Sequence, residues 1–539
     1  MPPRSPRTRS YRTPPIPTTG PGSPVGRVSG SCSCAPWSVR APSIRREPAP
    51  LPEAASGDRG RRPAGPTVTA RVLGIETEYG ILAPSAPEVH AAALSAAVVA
   101  AYPGTATGTT LDWVDPIPIE DAHNRVLANG ARLYVDHAHP EYSGPEVRTA
   151  AEAVAYDLAG DAAVVDAASA ASAQLGLEIG IYKNNTDSHG ASYGCHENHL
   201  LSRSVPWPSI LAALPAFLVS RAVVVGAGRV GVGQHGERVG FQLTQRADFF
   251  ETVEGIQTTR RRPIVNTRDE PHAPSAAYRR LHVITGDANR CEYATWLKAG
   301  TLAAFLTALE AGALPELELA DPVAAFHTVS HDVGLAEPLE LTDGRRMCAL
   351  DLQDAAWEAV AAAADRRPEA YELDVLTAWR NVLDDLRADP SRCADRLDWV
   401  AKHQLLDAYA ARHGLDWTSP RLAQLDLAWA RLDRPGPWDA LAGAGRLRSV
   451  VTREDVERAR SEPPSDTRAW TRGRVVDVVA DRVTGASWDW MRVRDLRGIE
   501  RRLDLAEPLG HSRDEVGDLA DAGAVDLLLA RTSVPGNHE

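Results

Sequence analysis

Asn129-Gly-Ala-Arg132-Leu-Tyr134-Val-Asp136-His-Ala-His-Pro-Glu141-Tyr-Ser143 is the stretch on which the reading of this chain turns. Side chains two apart on a strand point the same way. With 131–136 as a strand, Arg132, Tyr134 and Asp136 share one face, and Leu133 and Val135 share the other. A second alternating stretch, Arg71-Val-Leu-Gly-Ile-Glu76-Thr-Glu78-Tyr-Gly80, sets Glu76 and Glu78 opposite Leu73, Ile75 and Thr77. If the two strands are neighbours, the apolar sets pack into a core and the polar sets face one cavity. Carboxylates gathered in this way repel unless they are protonated or neutralised by cations. Hard oxygen ligands suit Mg²⁺, which joins a few carboxylates to nucleotide phosphates. Taken alone, a Glu-x-Glu strand also fits the solvated face of an antiparallel sheet.

Further polar clusters follow. Lys183-Asn-Asn-Thr-Asp-Ser-His-Gly-Ala-Ser-Tyr-Gly-Cys-His196-Glu-Asn198-His199 reads as a loop that places polar groups, with His196 and His199 as candidate ligands. Arg246, in Gln242-Leu-Thr-Gln-Arg246, and Arg268, in Asn266-Thr-Arg268-Asp-Glu-Pro-His272, carry guanidinium forks suited to phosphate or carboxylate. The chain then runs to Tyr278-Arg-Arg-Leu-His282. Gly226-Ala-Gly228-Arg-Val-Gly231 fits the dinucleotide fingerprint, but Gly233 and Gly236 follow where a helix would have to open, so that reading is set aside.

The chain has 539 residues, enough for two or three domains. Its net charge of -13 argues against a nonspecific nucleic-acid binder. Six scattered cysteines with no CxxC pair read as reduced thiols of a cytoplasmic protein. The most apolar run, 210–226, is interrupted by Pro215 and Arg221, which favours a buried helix over a membrane span. Residues 1–68 are rich in Pro, Arg, Ser and Gly and have no apolar signal core. They read as a disordered tail, or as sequence upstream of a start nearer Val68. Strands and helices alternate from Thr69, and helices dominate beyond Leu302. The expected class is α+β, with a catalytic domain over 69–461 and a small C-terminal domain over 462–539.

Glu76-Thr-Glu78-Tyr, the 129–143 stretch, Ser192-Tyr-Gly-Cys-His196-Glu-Asn198 and Asn266-Thr-Arg268-Asp-Glu-Pro-His272 resemble, in that order, the Pup ligase and depupylase family. These bacterial enzymes attach the small protein modifier Pup to lysines or remove it. The resemblance runs from about Thr69 to the C-terminal region. It implies a fold similar to glutamine synthetase and the carboxylate-amine ligases: an antiparallel sheet cradle packed with helices. Asp136–Ser143, Gly240–Phe250, Gly286–Asn289 and Ala486-Ser-Trp488-Asp look like the depupylase branch. Gly74-Ile-Glu-Thr-Glu and Asn185-Thr-Asp-Ser look closer to the ligase, and the depupylase loop before the second strand is shortened to roughly Leu111–Val126.

Carried over by position, the resemblance implies Mg²⁺ held by Glu76, Tyr134 and Glu141, with His196 and His282 as further ligands and Glu78 beside them. It implies Arg132, Asn198 and Arg268 on the ATP phosphates, and Arg246 on phosphate or the substrate carboxylate. Asp136 would be the nucleophile or general base in hydrolysing the bond between the C-terminal glutamate side chain of Pup and a target lysine, or in deamidating Pup-Gln. Pup and pupylated proteins are the implied partners, with no nucleic acid or membrane. The alternatives are a Pup–protein ligase, a degenerate Pup-binding regulator, or a glutamine synthetase-like ligase for a small amine.

Overall fold

The computed structural model describes residues 71–108, 124–187, 190–231, 239–532 and 534–535. The expectations for the 1–68 tail lie outside these residues, as do those for most of the shortened 111–126 loop.

The site is built on a seven-stranded antiparallel sheet. Its strands are β1 (Leu73–Glu78), β2 (Ala106–Gly108), β3 (Asn124–Leu127), β4 (Arg132–Asp136), β5 (His139–Ser143), β6 (Cys195–Ser202) and β7 (Tyr278–Val283). They lie in the order β7-β6-β1-β5-β4-β3-β2. The two strands expected from alternation are thus not neighbours: β5, folded back from β4, lies between them. The register keeps their polar faces common, because directly opposed residues of an antiparallel pair share a face. Glu76 opposes His196 on one side and Ser143 on the other, Glu78 opposes Glu141, and Glu141 opposes Tyr134.

The β4–β5 hairpin turns on two residues, His137 and Ala138, with φ of 45° and 74°. Positive φ at both central positions gives the turn the hand that matches strand twist.

The opposite face of the sheet packs on helices. α1 (Ala150–Leu175) starts from a capping box in which Thr149 and Glu152 satisfy each other's backbone, and it ends at the left-handed Gly176. It covers Leu73 and Ile75 together with α2 (Glu292–Glu310), which is buried over nearly its whole length. The 210–226 run forms two buried helices, Trp207–Ser220 and Ala222–Val225, as its composition suggested. No helix among the described residues is long and apolar enough to cross a membrane. Gly226–Gly231 runs into a short strand, Arg229–Gly231, and opens no helix.

One reading needs correcting. The cluster ending in His199 is not all loop, because Cys195–Ser202 forms β6, paired on both sides within the sheet. Glu197 and His199 point to the helix-covered face, so polar residues occupy both sides of this strand and its alternation is hidden.

The C-terminal segment forms a helix, Ala469–Val479, and a four-stranded sheet from Val483–Ala486, Trp490–Arg494, Glu500–Asp504 and Val534–Pro535. Its apolar cluster includes Val476, Met491, Val493 and Leu503, and takes in Val126 of β3. Arg472 donates to the carbonyl of Gly130 at 2.8 Å and pairs with Glu146, which also accepts from Arg468 at 2.8 Å.

Candidate active site

The polar face of the sheet opens into a cavity of about 650 Å³. Among the expected site residues, Glu76, Tyr134, Asp136, Glu141, His196, Arg246, Arg268 and His282 line it, with Glu78 and Arg280. Arg132 and Asn198 flank it. Arg132 donates to the carbonyl of Ala486 at 2.8 Å and stacks over Trp488 at 5.0 Å, and its buried Nε has no partner. Asn198 donates to Glu76 at 2.7 Å and accepts from Arg280 at 2.9 Å, with His282 Nδ1 also 2.9 Å from its Oδ1.

Two donor groups stand side by side. In the first, single ligand atoms of Glu76, His196 and His282 lie within 4.8 Å of one another, and in the second so do those of Glu78, Asp136 and Glu141. The first mixes a carboxylate with imidazoles, while the second is all oxygen and suits a hard cation. His196 Nδ1 is 3.4 Å from Glu76, whereas its buried Nε2 has no partner. A Cβ on Gly194 would fall 2.6 Å from Glu78 Oε1 and closer still to His196 Nε2. Glycine therefore leaves open a cradle between the two groups. An orphaned imidazole nitrogen beside a carboxylate oxygen is a donor set that a divalent cation fits.

The electrostatics agree with that reading. Burial alone would raise the Glu76 carboxyl, but the His196 contact, with His282 and Arg280 nearby, holds it well below the usual range. Burial, with Asp136, Glu78 and Glu76 around it, drives Glu141 far upward, against the Tyr134 hydroxyl that donates to it at 2.5 Å. Burial and the neighbouring carboxylates also push the Tyr134 phenol well above its ordinary value. Burial keeps His282 far below its usual value, so its ring is neutral and free to ligate. Such like-charged crowding is unstable by itself and calls for a cation.

Arginines close the opposite wall. Arg246 is buried; its Nη1 donates to the carbonyl of Ile284 at 2.7 Å, and its Nε has no partner. Arg268 is exposed, its backbone held by Asn266 Oδ1 at 2.8 Å. The Arg260–Arg262 run, which reads as a solvated face, is divided. Arg260 and Arg261 are exposed, but Arg262 is buried and donates to the carbonyls of Ser192 and Thr258. Two contributors were not assigned to the site from the sequence, although Trp488 lies in one of the motifs quoted above. Arg280 ties Asn198 to the first donor group, and Trp488 lines the cavity from the C-terminal segment. The β7 alternation, which aligns Arg280 with His282, was the available signal for Arg280. His199, read as a candidate ligand, lies on the other face, 3.6 Å from Glu197.

An antiparallel sheet that gathers carboxylates and imidazoles under a wall of arginines defines an enzyme that handles acyl or phosphoryl groups with the help of cations. The family described as Pup-ligase protein matches residues 71–492, and the chain belongs to that family. It is 43% identical over 500 residues to a depupylase of Acidothermus cellulolyticus, covering 86% of this chain and 99% of that one. It is 42% identical over 504 residues to the Pup deamidase/depupylase of Mycobacterium tuberculosis, with the same coverage. A Pup–protein ligase of Nakamurella multipartita is 38% identical over 463 residues, covering 84% and 99%. The crystal structure of Pup in complex with its ligase PafA superposes with a TM-score of 0.73 at 31% identity, covering 86% of this chain and 95% of that one. A PafA structure in complex with ADP gives 0.67 at 31% identity, covering 79% and 96%.

Proposed function

We propose that the protein is a depupylase and Pup deamidase. It hydrolyses the isopeptide bond between the C-terminal glutamate side chain of Pup and a target lysine, and the side-chain amide of Pup-Gln, in the bacterial cytoplasm. The observation that carries this reading is Asp136 at the end of β4, inside an arginine-walled cavity and beside a cation-binding set, in a chain whose depupylase relatives exceed 40% identity.

The nucleotide is ATP. Arg132, Asn198, Arg246 and Arg268 are assigned to it, with the unpartnered Nε atoms of Arg132 and Arg246 open to phosphate oxygens. Mg²⁺ falls to Glu76, Tyr134, Glu141, His196 and His282, and supplies charge neutralisation beside the reacting carbonyl when bound. Arg246 serves phosphate or the glutamate carboxyl, while Asp136 faces the glutamate side-chain carbonyl. Asp136 either attacks that carbonyl, forming an anhydride that water opens, or takes the proton of an attacking water. In both routes the C–N bond breaks and the amine departs with a proton, taken from Asp136 in the base route and from solvent water in the nucleophilic route.

The second reading is Pup ligation, favoured by the ligase-like Gly74–Glu78 and Asn185–Ser188 stretches. One paired assay separates the two. Incubation with ATP, Mg²⁺ and a Pup conjugate should release the target. Incubation with ATP, Mg²⁺, Pup-Glu and a target should give no new conjugate. Conjugate formation with ADP release would reverse the assignment.

A further inference from the structure

The turn that carries Asp136 into the cavity is built from the wrong residues for its shape. Two-residue hairpin turns with positive φ at both positions favour Asn-Gly, because other side chains crowd the backbone there. Here they are His137 and Ala138, at φ 45° and 74°. A local rule broken beside a reacting group points to function before stability.

The side chain that the turn carries reaches the reacting group. His137 Nδ1 lies 2.9 Å from Asp136 Oδ1, and His137 lines the same cavity. The second imidazole of the motif is committed elsewhere. His139 Nδ1 sits 3.0 Å from the carbonyl of Tyr79, and its ring stacks on Tyr193 at 4.2 Å. Carboxylate oxygens of Glu78 and Glu141 lie within 4.8 Å of one of Asp136 and crowd it with like charge. A carboxylate crowded in this way needs a donor to keep one orientation.

We propose that His137 is a positioning residue. Through Nδ1–H it holds Asp136 Oδ1 and leaves Oδ2 directed at the substrate carbonyl. The left-handed backbone at 137 is what brings this ring back onto the side chain of the residue before it. The proposal rests on Asp136 being the reacting carboxylate of the proposed function.

Substitution can separate the ring from the turn. His137→Gly removes the donor and relaxes the backbone. His137→Asn also suits positive φ and can set an amide N–H where Nδ1 now sits. Ala138→Gly relaxes the turn and keeps the ring. Initial rates of Pup-conjugate cleavage by the full chain, with ATP and Mg²⁺, give kcat and KM for each, and thermal unfolding checks folding. We expect His137→Gly to lose about tenfold to a hundredfold in kcat with KM nearly unchanged, the size of a lost orienting contact. His137→Asn should recover most of that loss, and Ala138→Gly should match the parent enzyme. The proposal is overturned if His137→Gly retains full kcat, if the loss falls in KM, or if the Asn and Gly variants are equally impaired. Should the parent chain ligate Pup and not release it, the depupylase reading fails. The same three variants then decide the role of His137 by their rates of conjugate formation.

Discussion

The two faces of the central sheet carry similar residue types and treat them in opposite ways. On the helix-covered face, charges are matched. Lys183 bonds Asp157 at 2.7 Å and Asp161 at 2.9 Å, Thr77 and Tyr79 donate to the same two carboxylates, and Arg221 clasps Glu197 at 2.6 Å. On the cavity face, Glu78, Asp136 and Glu141 converge within 4.8 Å of one another, and among the described residues none of the three is ion-paired with a lysine or arginine. Buried charges that are neutralised locally serve the fold, whereas buried like charges are held together at a cost that only a ligand offsets. Matching, not polarity, therefore distinguishes structure from site in this molecule.

That contrast can be broken at several points. The largest effect is expected at Asp136. Asp136→Asn should lower conjugate cleavage by roughly 10³-fold or more while leaving the unfolding midpoint nearly unchanged, since loss of a reacting group is a loss in kcat. On the opposite face, Lys183→Met should do the reverse at equilibrium. It strands two buried aspartates and should cost about 3–5 kcal/mol in denaturant unfolding. If it unfolds no more readily than the parent, matching is not what stabilises that face.

Glu146, in the loop that follows β5, is a carboxylate near the site that is matched. Burial would raise its carboxyl, but Arg472 and Arg468 hold it down at about 2. Its folded value is below its unfolded one, so its contribution is complete above the unfolded pKa near 4.5 and is lost as pH falls through about 2. A parallel acid titration of Glu146→Gln should show a stability difference of about 3 kcal/mol at neutral pH that vanishes in that window. A constant difference would count against the pairing. The smallest effect is expected from Gly194→Ala, whose methyl group would crowd His196 Nε2 and Glu78. We expect Mg²⁺ affinity, read from the rise in unfolding temperature on adding the metal, to fall about 10- to 100-fold. An unchanged Mg²⁺ response would move the cation elsewhere.

Much of this arrangement was legible in the sequence. Alternation placed Glu76 with Glu78 and Arg132 with Asp136, because each strand sets a polar row against an apolar one. The long helix was legible by a different period, as an Ala-rich apolar stripe over Glu152–Leu175, two residues short of its start at Ala150. β6 was not, since both of its rows are polar. Glu197 carries no local sign of burial, because Arg221, which neutralises it, lies 24 residues further on, between two helices. The insertion of β5 between β1 and β4 was also out of reach, because strand order depends on long-range pairing and not on local pattern. The burial of Arg262 was out of reach for a related reason. Its burial comes from the carbonyl of Ser192, seventy residues away.

Trp488 stands between two guanidinium groups, Arg132 at 5.0 Å and Arg472 at 4.8 Å, at the edge of the cavity. An indole in that setting is a built-in optical gauge. Its emission responds to charge drawn toward or away from Arg132, so loading of the site can be followed as the difference between the parent chain, with its 13 tryptophans, and a Trp488→Phe variant. The gauge belongs to the C-terminal segment while the arginine belongs to the sheet. A chain clipped before Ala486 would therefore lose both the signal and the carbonyl that anchors Arg132.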